Sequence, residues 1–234
     1  MNQAAEMSNS LKKTVWGVMI FSSIYLAVAL ACLWQWGSPK PWSRVDFFSG
    51  GLLVLSLLMG VENISFNRAV GRSEEVHHEA FGMSYDPGMS KGVAVLALGE
   101  LLVFLDYGHW HLAPALEQPV LQSIGLGLYA LVPGWLLWAD GYLARHFSSG
   151  LAGRRVMTDG PFRYVRHPRY AGLLASRVGF ALVMASVLAW IFVLGWVYLV
   201  FRRIRLEEAH LHKLFGAAYI AYAQHTARLI PGIY

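Results

Sequence analysis

The stretch Ala171–Phe201, AGLLASRVGFALVMASVLAWIFVLGWVYLVF, decides the fold class. One bilayer crossing takes about 20 helical residues, and this run is far longer with no polar loop inside it. Its length predicts a helical hairpin turning near Ser186 to Ala189. Both flanks are charged. Before it stands Gly160–Gly172, GPFRYVRHPRYAG, with Arg163, Arg166, His167 and Arg169; after it comes a second cluster, Arg202 to His210. A hairpin returns both clusters to the same membrane face, where they become neighbours. Pro161 and Pro168 punctuate the first cluster, and Pro168 biases His167 away from the helical region.

Working outward, 56% hydrophobic and 14% charged residues exclude an ordinary soluble domain and a disordered chain. They indicate an all-α polytopic membrane helix bundle. The formal charge of +5 comes largely from arginines between apolar runs. It reads as membrane orientation, not nucleic-acid binding. The lone Cys32 lies inside an apolar run, which excludes an internal disulfide framework and cysteine-based metal sites. Lys12 and Lys13 precede a run too long for a signal h-region and without a convincing cleavage site.

The other apolar runs complete the bundle. Val15 to Trp36 reads as a first span with Trp34 and Trp36 at its far interface, followed by the tight loop Gly37 to Trp42. Phe47 to Val61 is a second, shorter run, and residues 62–91 form the longest polar interval. Gly92 to Leu105 makes a third, ending in Tyr107-Gly-His-Trp-His111; Val120 to Tyr142 makes a fourth, broken by Pro133. Residues 143–169 are an arginine-rich loop. With the hairpin this gives about six spans, followed by a charged amphipathic helix from Arg202 to His225. Loops 62–91 and 143–169 and the tail carry Lys and Arg, whereas loop 106–119 carries none. Placing both termini and the charged clusters on the cytoplasmic side satisfies that bias, with Lys40 and Arg44 discordant. The host membrane is then a bacterial inner membrane or an endomembrane.

The charged clusters carry the chemistry. Arg203 and Glu207 share a helix face, with Glu208 and His212 on the face beside it. Two adjacent carboxylates near His167 and several arginines offer acceptors for an ammonium and donors for a carboxylate, the two ends of an amino acid. Tyr164, Tyr170, Tyr219 and Tyr222 offer flat surfaces for a heterocycle or a cation. S-adenosylmethionine matches that inventory. A bland alternative makes Glu207 and Glu208 a solvated face pairing with Arg203 and Lys213. A metal alternative reads Glu74-x-x-His77, Glu75-x-x-His78 and Glu207-x-x-His210 as di-iron ligands. That site needs further inward glutamates, for which only Glu62 and Glu100 are near, so no metal is assigned. Glu100 and Asp106 lie at or within the third span, where an acid is a functional candidate. Glu100 either lines an acceptor cavity or pairs with a neighbouring helix. His109 and His111 read as interfacial polar groups.

At these residues the chain resembles the membrane methyltransferases related to isoprenylcysteine carboxyl methyltransferase and phosphatidylethanolamine N-methyltransferase. The resemblance rests on GPFRYVRHPRYAG, then a hairpin, then Arg203-x-x-x-Glu207-Glu208 and Leu214-Phe215-Gly216-x-x-Tyr219-x-x-Tyr222. It covers about residues 120–234. It implies a methyltransferase core there, with residues 1–119 forming the acceptor side. It implies S-adenosylmethionine held by Tyr164, His167, Pro168, Tyr170, Gly172, Glu207 and Glu208, with Arg203 and Glu207 at the reacting centre. Gly125-Leu-Gly127 resembles the family's GxG on the preceding helix, although such a pair also serves close helix packing. The acceptor implied is lipophilic or small: a prenylcysteine-type carboxylate, a phospholipid amine, a thiol or an isoprenoid. Membrane sterol and enone reductases that use NADPH share the Arg-His-Pro-x-Tyr element, and are the rival enzyme class. A small transporter or assembly factor would leave the charged clusters without a ligand.

Overall fold

The computed structural model describes residues 23–33, 47–71, 87–148 and 155–232. Seven α-helices are described in them: α1 (Ser23–Leu33), α2 (Phe47–Gly71), α3 (Pro87–Leu105), α4 (Pro119–Ser148), α5 (Pro168–Met184), α6 (Val187–Phe215) and α7 (Ala217–His225). Among the described residues the sole β feature is an isolated bridge between Val165 and Ala227.

The apolar run folds as the expected hairpin. α5 ends where Ala185 turns left-handed at φ +49, and Ser186 caps α6 by accepting from the Leu188 amide at 3.1 Å. The Ser186 hydroxyl also donates to Asp106, whose other oxygen accepts from the Leu112 amide at 2.9 Å. The hairpin tip is thus tied to the π-turn Asp106–Trp110 that follows α3.

Contacts along the helices fix their directions. α4 runs antiparallel to α5: Gly125 meets Gly179 near one end, and Trp135 donates to the Pro168 carbonyl at 2.7 Å near the other. A Cβ on Gly125 would stand 2.8 Å from the Gly179 carbonyl oxygen and 2.9 Å from the Val183 nitrogen, so only glycine permits this approach. α3 lies antiparallel to α6, with Gly92 beside Leu199 and Gly99 beside Phe192. α2 runs parallel to α4, joined by Ser56 and Tyr129 hydroxyls 3.0 Å apart. Tyr25 of α1 packs edge-on against Phe104 of α3. Directions therefore alternate from α1 to α6, and the ends bearing His167 and Glu207 coincide. Phe104, Phe180, Val183, Met184 and Leu52 fill the core of the opposite half.

The outward faces are apolar too. Val95, Leu98, Ile124, Leu131, Ile191 and Leu194 are all exposed, a surface that suits lipid and not water. Three helices, at Lys91–Trp110, Pro119–His146 and Val187–Phe215, are long and apolar enough to cross a bilayer. The chain is an integral membrane protein.

Three local expectations need correction. Pro133 does not break the fourth run; it sits inside the continuous 30-residue α4, where one lost backbone bond is tolerated. α2 continues past Val61 to Gly71, into the interval expected to be a polar loop. The charged segment from Arg202 is not a separate helix but the end of α6, because nothing in RRIRLEEAHLHKLF stops helix propagation. The break falls at Gly216, whose φ of +52 and ψ of −126 suit glycine alone. The tight loop at 37–42, Lys40, Arg44, the Glu-x-x-His pairs at 74–78 and residues 149–154 lie outside the described residues.

Candidate active site

His167 is fixed from both sides. Pro168 opens α5 as its first residue, leaving His167 outside the helix at φ −126 and ψ 64. The tail then pairs with this segment: the Arg166 amide donates to the Ala227 carbonyl at 2.8 Å and the His167 amide to the Arg228 carbonyl at 3.1 Å. The turn at Gly216 folds α7 back, and the Tyr222 hydroxyl donates to the Phe162 carbonyl at 2.6 Å. The arginine-rich segment, the end of α6, α7 and the tail thereby close around one polar cluster.

Two carboxylates sit at its centre. One oxygen of Glu207 accepts from Arg203 Nε at 2.9 Å and from the Tyr170 hydroxyl; the other lies 3.6 Å from His167 Nδ1. Glu208 accepts from Arg228 Nε at 2.8 Å, and its second oxygen stands 3.4 Å from Arg166 and 3.5 Å from His167 Nε2. His167 and Glu208 are only 6% and 5% exposed, so these charges interact with little screening by water.

The cluster is also incompletely bonded. Among the described residues six buried polar side-chain atoms lack a hydrogen-bond partner, and four of them belong here: Arg166 Nε, His167 Nε2, Glu208 Oε1 and the Tyr219 hydroxyl. Buried polar groups are rarely left so. Two donors, a carboxylate oxygen and a phenol form a set suited to a ligand carrying both an acceptor and an ammonium.

Burial opposes charge on His167, but the adjacent Glu207 and Glu208 carboxylates outweigh it and hold its pKa above the ordinary 6.5. A raised histidine pKa adds stability that is complete below the ordinary value and is lost as pH rises through the folded value. The purified protein is therefore expected to show a thermal midpoint that declines as pH climbs above about 6.5, with His167→Gln flattening the decline. Differential scanning across a pH series checks this, and parallel profiles for the two proteins would contradict it.

Beside the cluster lies a cavity of about 530 Å³ between the helices. Leu53, Phe104, Leu173, Phe180 and Val200 give it apolar walls, and Tyr170 lines it while bonding Glu207. Arg177, further along α5, and Glu100 of α3 also face it.

Of the residues expected at the site, the structure brings together His167, Tyr170, Arg203, Glu207 and Glu208. Pro168 adjoins them but turns its carbonyl to Trp135. Gly172 packs against Trp135 and Leu136 of α4, away from the cluster. Tyr164 is 55% exposed beside Trp138. Gly125 is not beside the cluster either: it meets Gly179, eleven residues along α5 from Pro168, about 16 Å of helix. A Cβ on Gly127 would meet no neighbouring element within 4 Å. Glu100 lines the cavity and also pairs with Arg177 of the neighbouring α5. Arg169 pairs with Asp140 of α4 and leaves the cluster to Arg166 and Arg228. Sequence reasoning missed Arg177 and Arg228. The first was detectable as a lone cation inside an apolar run; the second depends on the tail folding back, for which the sequence carries no local signal.

Comparison with known proteins identifies the family. The family model described as phospholipid methyltransferase matches residues 136–218, from the middle of α4 to the start of α7. Protein-S-isoprenylcysteine O-methyltransferase B of Arabidopsis thaliana is 32% identical over 145 residues, 58% of this chain and 73% of that protein. A probable protein-S-isoprenylcysteine O-methyltransferase of Oryza sativa subsp. indica is 29% identical over 138 residues, covering 53% and 71%. The protein-S-isoprenylcysteine O-methyltransferase of Schizosaccharomyces pombe is 34% identical over 120 residues, covering 48% and 50%. The aligned region includes the helices that carry His167, Arg203, Glu207 and Glu208, and with most of the Arabidopsis protein's length matched, the chain belongs to the isoprenylcysteine and phospholipid methyltransferase family of membrane methyltransferases.

Proposed function

We propose that this protein transfers the methyl group of S-adenosylmethionine to a lipophilic acceptor that enters the cavity between the helices. The observation that carries the reading is the junction at Tyr170. This one side chain lines the apolar cavity and donates to Glu207 in a polar cluster that holds four unsatisfied atoms. The residues fit the donor. Glu208 Oε1 would accept from its ammonium, Arg166 Nε and His167 Nε2 would donate to its carboxylate, and Tyr219 and Tyr222 would border its heterocycle. When bound, the donor supplies a methyl carbon to which the acceptor's lone pair bonds while the carbon–sulfur pair returns to sulfur as a neutral thioether.

The chain's own residues do the positioning. Arg203 orients an acceptor carboxylate, or Glu207 takes the proton from an amine or thiol. The surrounding helices exclude water, and alignment of this kind contributes on the order of 7–11 kcal/mol at best. Residues 120–234 make the donor side. α1, α2 and α3 wall the cavity with Tyr25, Leu53 and Ala97, which supports an acceptor role for residues 1–119. The distribution of Lys and Arg supports a donor site and termini facing the cytoplasm.

Calorimetric titration of the purified protein with S-adenosylhomocysteine and, separately, with NADPH tests the reading. The expected outcome is a saturable site for the first and none for the second. Binding of NADPH alone would move the chain to the reductase class, and binding of neither would remove the enzyme assignment.

A further inference from the structure

The cavity is not a plain apolar slot. Glu100, 4% exposed, accepts from Arg177 Nη1 at 3.1 and 2.9 Å through its two oxygens and from Trp196 Nε1 at 2.7 Å. The Arg177 guanidinium stacks 4.5 Å from the Trp196 ring centre. Tyr25 and Tyr129 stand close enough to sense both charges, and Tyr129 shares a hydrogen bond with Ser56 at 3.0 Å. All six side chains line the same cavity. Arg177 Nε is buried without a hydrogen-bond partner among the described residues.

An ion pair at this depth is a poor device for stability. Apolar residues of similar volume replace buried pairs at little or no cost, and ionisable groups within a membrane bundle mark a ligand path. A saturated or prenyl tail laid against it would strip water from these polar groups and return nothing. An oxygen on the tail would instead accept from Arg177 Nε. That oxygen must be neutral, because Glu100 already balances the arginine, and a second anion would leave net charge buried. Its position follows from the helix: Arg177 lies seven residues beyond Tyr170 on α5, two turns or about 10 Å.

We infer that the Glu100–Arg177 pair is a specificity element of the cavity. It selects an acceptor whose lipophilic body carries a neutral carbonyl or hydroxyl oxygen about 10 Å from the methyl-receiving atom. The inference rests on the cavity being the acceptor site in the reading above. It narrows the acceptor to an oxygen-bearing lipid and disfavours an unadorned prenyl or alkyl chain.

Two chain-matched probes test it: hexadecanoic acid and 9-oxohexadecanoic acid, competing with a fluorescent fatty acid on the full-length protein in detergent. The oxo acid is expected to bind about tenfold more tightly, the worth of one charge-assisted hydrogen bond. In the double variant Glu100→Leu with Arg177→Met, which removes both charges together, the preference should vanish while the thermal transition stays sharp. Arg177→Lys keeps the charge but lacks Nε and should also lose the preference. Equal binding of the two probes by the wild-type protein, a preference that survives in both variants, or no binding of either probe would overturn the inference. S-adenosylhomocysteine titration is independent of these arms. An intact oxo preference without it would sink the methyl-transfer reading alone, and its binding without any probe preference would sink the selectivity alone.

Discussion

Glu207→Gln is expected to lower methyl transfer by about two to three orders of magnitude, the range for a lost proton acceptor or charge-positioning group. Glutamine keeps the volume but removes the charge that Arg203 Nε and the Tyr170 hydroxyl share. Tyr170 is the boundary between the cavity and the polar cluster, so in the proposed reading this carboxylate sits where donor and acceptor would meet. His167, 3.6 Å away, loses a counter-charge at the same time. The partner substitution separates two roles. If the acceptor is a carboxylate held by Arg203, then Arg203→Lys raises the acceptor KM and leaves much of kcat. If Glu207 withdraws a proton, Arg203→Lys changes little and Glu207→Gln depresses kcat, with activity recovering as pH rises for a thiol or amine acceptor. Labelled-methyl incorporation into membrane lipid is the measurement. Wild-type turnover in Glu207→Gln would take Glu207 out of the reacting centre.

The polar cluster was legible because each part has a local signature. Pro168 sets the backbone of His167 whatever surrounds it, and the four-residue spacing of Arg203 and Glu207 puts both on one face of any helix. The length of Ala171–Phe201 then forces the two parts to the same end. What was not legible is how helices choose partners. Gly125 is a cofactor glycine by resemblance and more commonly a packing glycine inside a spanning helix; Gly179, across the α4–α5 interface, shows the packing. Glu100 likewise could not be given its partner, since Arg177 is 77 residues away and the pairing depends on how α3 meets α5. Helix ends followed the same division. Gly216 stops α6 through its own φ, which is local. Pro133 fails to stop α4, because losing one bond does not undo a long helix packed against α5 and α2.

Glu208→Gln is expected to act on the donor and not on the chemical step, which separates it from its neighbour in sequence. Glu208 Oε2 is engaged by Arg228, but Oε1 has no hydrogen bond and lies within 3.5 Å of both Arg166 and His167. A ligand ammonium there would complete an alternation of charges that the protein leaves open. Losing a charge-assisted bond of about 1.5–3 kcal/mol weakens S-adenosylhomocysteine binding roughly 10- to 100-fold. Transfer at saturating donor should stay within a few-fold of wild type, because the partners of Glu208 are Arg228, Arg166 and His167, whereas Tyr170 and Arg203 bond Glu207. Arg228→Met provides the internal check. It removes the brace on Oε2 and leaves Oε1 in place, so it should weaken donor binding less than Glu208→Gln and cost thermal stability instead. A donor affinity unchanged in Glu208→Gln, or a loss confined to the acceptor KM, would mean that the open oxygen faces something other than the methyl donor. The four unsatisfied atoms would then need a different ligand to account for them.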